Sequence, residues 1–294
     1  LVMQTNFNFS IIGTGKCVSD CIRIIENFNS TQSIFKINLP FILIDAKNYS
    51  PTHTYNYEII NVYDINTDKI ISKLQGAKID YLLSVNNFQI LRKNTIESVT
   101  KAVLNFHNGP LPRYGGLNAC AWAIFNNEKN HGVTWHIMDS QIDSGDIIKQ
   151  TFFPIHNSET AISLILRCIT EGMVLFANLL PDLLKNKIRS CPQTQEGRLY
   201  FSKDQIPARG YFDFTWRFEE ASRFMRCLNV YPFDQMVAFG KSSLNGKSFA
   251  ITSIKKGEEI STKSPGTIIK IDPNMVLVSL SDCNIEITGV LDEA

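Results

Sequence analysis

Five short apolar runs constrain this chain more than any other feature. Residues 9–13, 41–45, 81–85, 103–107 and 132–137 are largely continuous in hydrophobicity, not alternating. A strand reads that way when both of its faces are covered, whereas a strand with one wet face alternates. Helical spacing appears between the runs, as in 18–27 with apolar residues at 18, 21, 22 and 25. Strands alternating with helices predict an α/β fold: a Rossmann-like, mostly parallel sheet with helices on its faces. A longer helix is expected over 160–184.

The character changes at 186–206, a polar connector holding Pro192, Gln193, Gln195 and Gly197. One more helix is expected over 218–229. Short strand-like runs follow at 236–240, 247–254, 266–271, 275–280 and 284–289, punctuated by glycine, proline and asparagine. That rhythm predicts a small antiparallel barrel or sandwich. The working division is 1–205 and 206–294, the second domain being the smaller and mainly β.

Charge and cysteine usage narrow the function classes. Lys+Arg 29 against Asp+Glu 28 leaves a formal charge of +1, with +2 on residues 1–205 and −1 on 206–294. Neither part has the basic footprint of a nucleic-acid-binding domain. Seven scattered cysteines read as reduced thiols of a cytoplasmic protein, not a disulfide framework. No apolar run reaches the roughly 20 residues expected of a membrane-spanning helix, so no membrane partner is expected. The chain starts Leu1-Val2-Met3, which is read as the sign of a domain cut from a longer protein or of a tag remnant.

Two local patterns could carry chemistry. Gly13-x-Gly15 at a strand-to-helix turn resembles a dinucleotide fingerprint but has Val18 in place of the third glycine. A plain tight turn is the leading reading, with a nicotinamide-dependent dehydrogenase as a lesser one. Lys16 could meet an anionic group there. Cys17-x3-Cys21 lacks a second ligand pair, so no metal site is assigned.

The second pattern spans 103–150. Asn105 and His107 are two apart at a strand end, so both side chains leave on one face. Open α/β sheets place ligands beyond the carboxyl ends of such strands. Asp143 lies in an Asp-Ser-Gly-Asp turn that could fold back on the pair. An amide, an imidazole and a carboxylate suit acyl-type transfer: an oxyanion donor, a proton-transfer group and a proton-accepting carboxylate. Taken singly, each also has an ordinary reading as a strand-end or turn residue.

Across about 80–155 the chain resembles the formyltransferase superfamily. The resemblance is carried by Asn105-x-His107, Leu111-Pro112, the helix with Trp122-Ala123-Ile124, Gly132-Val-Thr-x-His136 and Ile142-Asp-x-Gly-Asp-Ile-Ile-x-Gln150. It extends more weakly to Asp213-Phe-Thr-Trp216, the helix through Arg226 and Tyr231-Pro232-Phe233, which are similar to the family's C-terminal module, an open barrel related to the OB fold. The resemblance implies a catalytic Asn105, His107 and Asp143, with 10-formyltetrahydrofolate as formyl donor and a primary amine as acceptor. No metal is implied. It also implies a folate pocket. Phe88, Ile90, Leu91, Ile96, Met138 and Ile142 would wall the ring, with Ser84 on the strand before it and backbone groups of Leu91 and Ser140 at its edge. The same side chains could equally be sheet core. His136 leads toward this loop and faces either the pocket or the core.

The run Phe106-His-Asn-Gly-Pro-Leu-Pro-Arg-Tyr-Gly-Gly-Leu-Asn-Ala119 is similar to formyltransferase-like domains of nonribosomal peptide or polyketide assembly lines. That implies an aminoacyl acceptor on a carrier protein. An amino-sugar nucleotide stays open, and tRNA is disfavoured by the balanced charge. A non-catalytic docking domain is the alternative from another class.

Overall fold

The computed structural model describes residues 4–47, 55–229, 240–244, 247–273, 275–288 and 291–292. The strands and helices of the first 200 residues are β1 (Thr5–Gly13), α1 (Gly15–Thr31), β2 (Phe35–Asn38), β3 (Ile42–Asp45), β4 (Ile59–Val62), α2 (Asp68–Gly76), β5 (Tyr81–Val85), α3 (Lys93–Glu97), β6 (Ala102–His107), β7 (Gly115–Gly116), α4 (Ala119–Phe125), β8 (Asn130–Ile137), β9 (Ile147–Pro154) and α5 (Ala161–Leu184). An eight-stranded sheet runs β4-β3-β1-β5-β6-β8-β9, with β2 also on β1. The pairs from β4 to β6 are parallel, as the continuous apolar runs require, and β8 joins β6 antiparallel. β1 is long enough to pair with β2 at Thr5–Asn8 and with β3 at Ile11–Gly13. Pro40 lies between those partners and has no N–H to give a ladder, which accounts for the break.

β2, β4, α2 and β9 were not legible beforehand. β2 and β4 are only four residues long, and β4 lacks the continuous burial of its neighbours. On one face of the sheet Ile12, Leu43, Leu82 and Val103 pack with Ile70, Leu74, Ile79 and Leu91 into one core cluster. Strand order reverses at β1 and β5, whose ends meet at Gly13 and Val85. A Cβ on Gly13 would lie 1.8 Å from the Val85 carbonyl oxygen, so close strand approach explains this glycine. Thr14 donates from its hydroxyl to the Asn86 carbonyl at 3.0 Å, and Lys16 pairs with Asp20 on its own helix.

α5 is 24 residues long with a hydropathy of 1.6 and is apolar enough, by length and composition, to cross a membrane. Arg167, Glu171 and Asp182 interrupt it, so it holds no continuous apolar run of about 20 residues. One face of the helix is core: the Trp135 indole donates to the Gly172 carbonyl at 2.8 Å and stacks on Phe176.

The chain divides into two compact units, residues 1–115, 132–152 and 167–200 forming one, and 116–131, 153–166 and 201–294 the other. The second contains β10 (Tyr200–Phe201) in part, a short 3-10 turn (Pro207–Gly210), α6 (Phe218–Leu228), β11 (Gly240–Leu244), β12 (Lys247–Ile251), β13 (Ser253–Lys256), β14 (Ile268–Asp272), β15 (Met275–Ser279), β16 (Asn284–Thr288) and β17 (Leu291–Asp292). Its sheets are β11-β12-β17 and β13-β16-β15-β14, with antiparallel pairing throughout. The expected run 247–254 is broken into β12 and β13. The expected run 236–240, apart from Gly240, and Tyr231-Pro232-Phe233 lie outside the described residues. An aromatic cluster of Phe125, Phe212, Trp216 and Phe224 holds α4 against α6.

Candidate active site

The antiparallel pairing of β6 with β8 sets Asn105 opposite His136 and His107 opposite Thr134. Asn105 donates from Nδ2 to His136 Nε2 at 3.1 Å. The other ring nitrogen of His136, Nδ1, lies 3.0 Å from the Ile137 carbonyl oxygen. A carbonyl only accepts, so the proton of the neutral ring sits on Nδ1 and Nε2 is left to accept from the amide. His136 is buried, with both ring nitrogens hydrogen-bonded, and the structure places it beside Asn105 and Asp143.

His107 is likewise buried. Its Nε2 donates to the Tyr114 carbonyl at 2.7 Å, and its Nδ1 lies 3.5 Å from Asp143 Oδ2. Asp143 Oδ1 is 3.5 Å from His136 Nε2. One carboxylate therefore lies 3.5 Å from a nitrogen of each imidazole. It can accept from His107 Nδ1, whereas His136 Nε2, already accepting from Asn105, offers it no proton. The expected trio is brought together, and a fourth member completes it. Both nitrogens of His107 face oxygen acceptors. Asn105 has one amide proton on His136; among the described residues its second amide proton and its Oδ1 make no hydrogen bond.

Much of the surrounding motif serves as scaffold. The Thr134 hydroxyl donates to the Gly109 carbonyl at 2.8 Å and accepts from Leu111 N at 3.2 Å. Gln150 donates to Thr134 Oγ1 and to the Leu111 carbonyl, both at 2.8 Å. These contacts pin the 109–111 loop beneath His107. A Cβ on Gly109 would lie 2.8 Å from His107 Nε2, so the imidazole needs this glycine. Gly145 is similarly constrained, because a Cβ there would stand 1.9 Å from the Ile137 carbonyl oxygen.

Asp143 has a φ of +50, a left-handed conformation that costs an L residue energy and must be held by its surroundings. The polar connector supplies part of that hold. Gln193 donates from Nε2 to the carbonyls of Asp143 at 3.1 Å and Gly145 at 2.7 Å, and Arg198 donates to the Ile142 carbonyl at 3.1 Å. These residues carry no periodic signal and were missed, because a glutamine in a loop looks the same whether or not it clamps another loop. Asp139 caps the same segment through Gln141 N and the Ser144 hydroxyl.

The expected folate residues divide into two sets. Leu91 is buried in the core cluster, with Ile96 and Met138 packed against it, and Ser84 is buried in β5. Phe88, Ile90 and Ile142 are exposed apolar side chains, and Ser140 is exposed as well. The 86–90 loop is held by Gln89, which donates to Asp45 Oδ1 at 2.6 Å and to the Val62 carbonyl at 3.0 Å.

The family described as formyl transferase matches residues 37–179. Bifunctional polymyxin resistance protein ArnA of Wigglesworthia glossinidia brevipalpis is 29% identical over 231 residues, covering 76% of this chain and 33% of that protein. The chain thus spans about a third of that relative's length. Methionyl-tRNA formyltransferase of Clostridium beijerinckii is 29% identical over 213 residues, covering 72% of this chain and 67% of that protein. Among solved structures, the N-formyltransferase of Helicobacter canadensis in complex with folinic acid and dTDP-3-aminofucose superposes with a TM-score of 0.69 at 20% identity, over 97% of this chain and 100% of that one. Residues 37–179 thus match the formyl transferase family, and the chain has the fold of an N-formyltransferase.

Proposed function

We propose that this chain is a 10-formyltetrahydrofolate-dependent N-formyltransferase acting on a primary amine. The carrying observation is the cluster in which Asp143 lies 3.5 Å from both His107 and His136 while His136 holds Asn105. The amine nitrogen attacks the formyl carbon, and the carbonyl oxygen gains negative charge. Asn105 meets that charge with its second amide proton, and His107, two residues along the same strand face, would add to it when protonated. The amine gives up a proton to Asp143, directly or through water. The bond from the formyl carbon to folate N10 then breaks, and N10 takes a proton. Holding both substrates together supplies much of the remaining acceleration.

The folate ring lies against Phe88, Ile90 and Ile142, with backbone groups of Leu91 and Ser140 at its edge. Leu91, Ile96 and Met138 form the floor as core. Exposed apolar side chains beside a polar cluster, at the sheet's point of strand reversal, support this placement. The acceptor is the amine of a nucleotide-linked sugar, a reading supported by end-to-end likeness to an enzyme solved with dTDP-3-aminofucose. The second reading, an aminoacyl group on a carrier protein, rests on the run 106–119. Methionyl-tRNA is the third, because a methionyl-tRNA formyltransferase is among the relatives. The two small antiparallel sheets of the second unit are read as the OB-related module.

The test is release of tetrahydrofolate from 10-formyltetrahydrofolate with a panel of amines: amino-sugar nucleotides, carrier-bound aminoacyl groups and methionyl-tRNA. Transfer to one class, abolished in His107→Ala and Asp143→Ala, is the expected result. Folate binding without transfer to any class overturns the enzymatic reading in favour of a docking domain.

A further inference from the structure

The second unit carries a polar cleft of about 570 Å³ whose lining includes none of Asn105, His107, His136 and Asp143. Three segments line it: Asn127 and Lys129 after α4, Asn157 and Ser158 in the turn after β9, and Glu219, Arg223 and Arg226 on α6. The segments are joined by hydrogen bonds. Ile155 N donates to the Lys129 carbonyl at 2.9 Å, and Arg226 Nη1 donates to the Glu159 carbonyl at 2.8 Å. Arg223 and Arg226 are three apart, on one helix face.

The charges at this cleft are out of balance. Three cations face one carboxylate, the exposed Glu219 at its edge. Among the described residues neither Arg223 nor Arg226 makes an ion pair. The Nε of Arg223 is shielded from solvent and, among the described residues, has no hydrogen-bond partner. A shielded guanidinium N–H without an acceptor is unfavourable, and two like charges side by side compound the cost. Consistent with that crowding, burial and the neighbouring Arg223 hold Arg226 below the ordinary arginine value. An anion with several acceptor oxygens would relieve both conditions at once, because guanidinium forks match phosphate geometry. Asn157 and Ser158 add neutral donors to the lining.

We propose that this cleft binds the phosphate or diphosphate group of a small phosphorylated molecule, through Arg223, Arg226 and Lys129. Its volume exceeds what one or two phosphoryl groups fill and leaves room for the rest of a small molecule. The net charge of −1 on residues 206–294 argues against an extended polynucleotide track.

The experiment is calorimetric titration of the full chain with inorganic pyrophosphate at low salt. Saturable binding is expected in the wild type and in Asp143→Asn, since Asp143 does not line the cleft. An Arg223→Gln/Arg226→Gln variant weakens it by roughly tenfold or more. Glu219→Gln, which removes the opposing charge, tightens it. A nucleoside diphosphate competes with pyrophosphate if the natural source is a nucleotide, whereas inorganic phosphate alone competes if it is the free ion. The proposal is overturned if the wild type does not bind pyrophosphate, if the double arginine variant binds equally well, or if only tRNA binds in an arginine-dependent way. Failure of formyl transfer leaves these outcomes unchanged.

Discussion

Asn105 and His136 are direct cross-strand partners, and a 3.1 Å hydrogen bond joins the amide of one to Nε2 of the other. Because His136 is committed at Nδ1 to the Ile137 carbonyl, the bond sets which way the Asn105 amide points. His136→Ala is expected to keep the fold and lower kcat by up to about a hundredfold through misplacement of Asn105. His136→Gln, which can still accept from the amide, recovers part of the loss. Steady-state kinetics and circular dichroism on the two variants check this. A kcat equal to wild type in the alanine variant would sink it.

Asp143 meets both imidazoles at 3.5 Å. Asp143→Asn preserves shape but removes the charge and the proton acceptor, so kcat is expected to fall by about 10²–10⁴-fold. Folate affinity stays near wild type, which equilibrium binding of a folate analogue measures.

Gly109 stands where a Cβ would enter the bond between His107 and the Tyr114 carbonyl. Gly109→Ala is expected to cost about 1–3 kcal/mol of stability as the crowded loop moves away. Activity falls further than stability does. Urea denaturation beside rate measurement separates the two effects.

Gln193 clamps the turn that presents Asp143. Gln193→Ala leaves two carbonyls free to meet water, so stability changes by only about 1 kcal/mol. If Asp143 takes the proton as proposed, its carboxylate becomes less well placed, and kcat drops while the folate KM holds. Equal falls in kcat and melting temperature for a stability-matched control variant would argue against the clamp.

The described cysteines are free thiols, buried except for Cys191. Burial pushes the Cys17 thiol up to about 12 from 9.0, and burial also raises Cys21 and Cys227. The folded state keeps these protons while the unfolded chain releases them above about pH 9. The unfolded state then binds fewer protons, so stability declines as pH rises from 9 toward 12. Urea midpoints at pH 8 and pH 10 are expected to differ, less so in Cys17→Ala. A native-state thiol titration at pH 8 is expected to modify Cys191 first.

The main sheet was legible because a strand covered on both faces must be apolar throughout, and 81–85 or 103–107 could hardly be anything else. α5 and α6 announced themselves by periodicity over 24 and 11 residues. β2 and β4 did not, since four residues with partial burial leave no pattern to read. A core helix and a spanning helix share hydropathy, so what α5 packs against, as at Gly172 and Phe176, had to come from the structure.

By itself the sequence determined the chemistry available: an amide and an imidazole two apart on one strand face, with a carboxylate in a glycine turn nearby. Alternation of side chains along a strand is local, so that much needs no partner. Only the tertiary structure decided that Asp143 lies 3.5 Å from two histidines, that His136 stands beside Asn105, and that Gln193 holds the turn from 50 residues away. Those relations depend on antiparallel register and loop closure, which arise from packing between segments distant in sequence. The balanced charge likewise concealed the Arg223–Arg226 cleft, because a sum over a chain carries no record of where its charges meet.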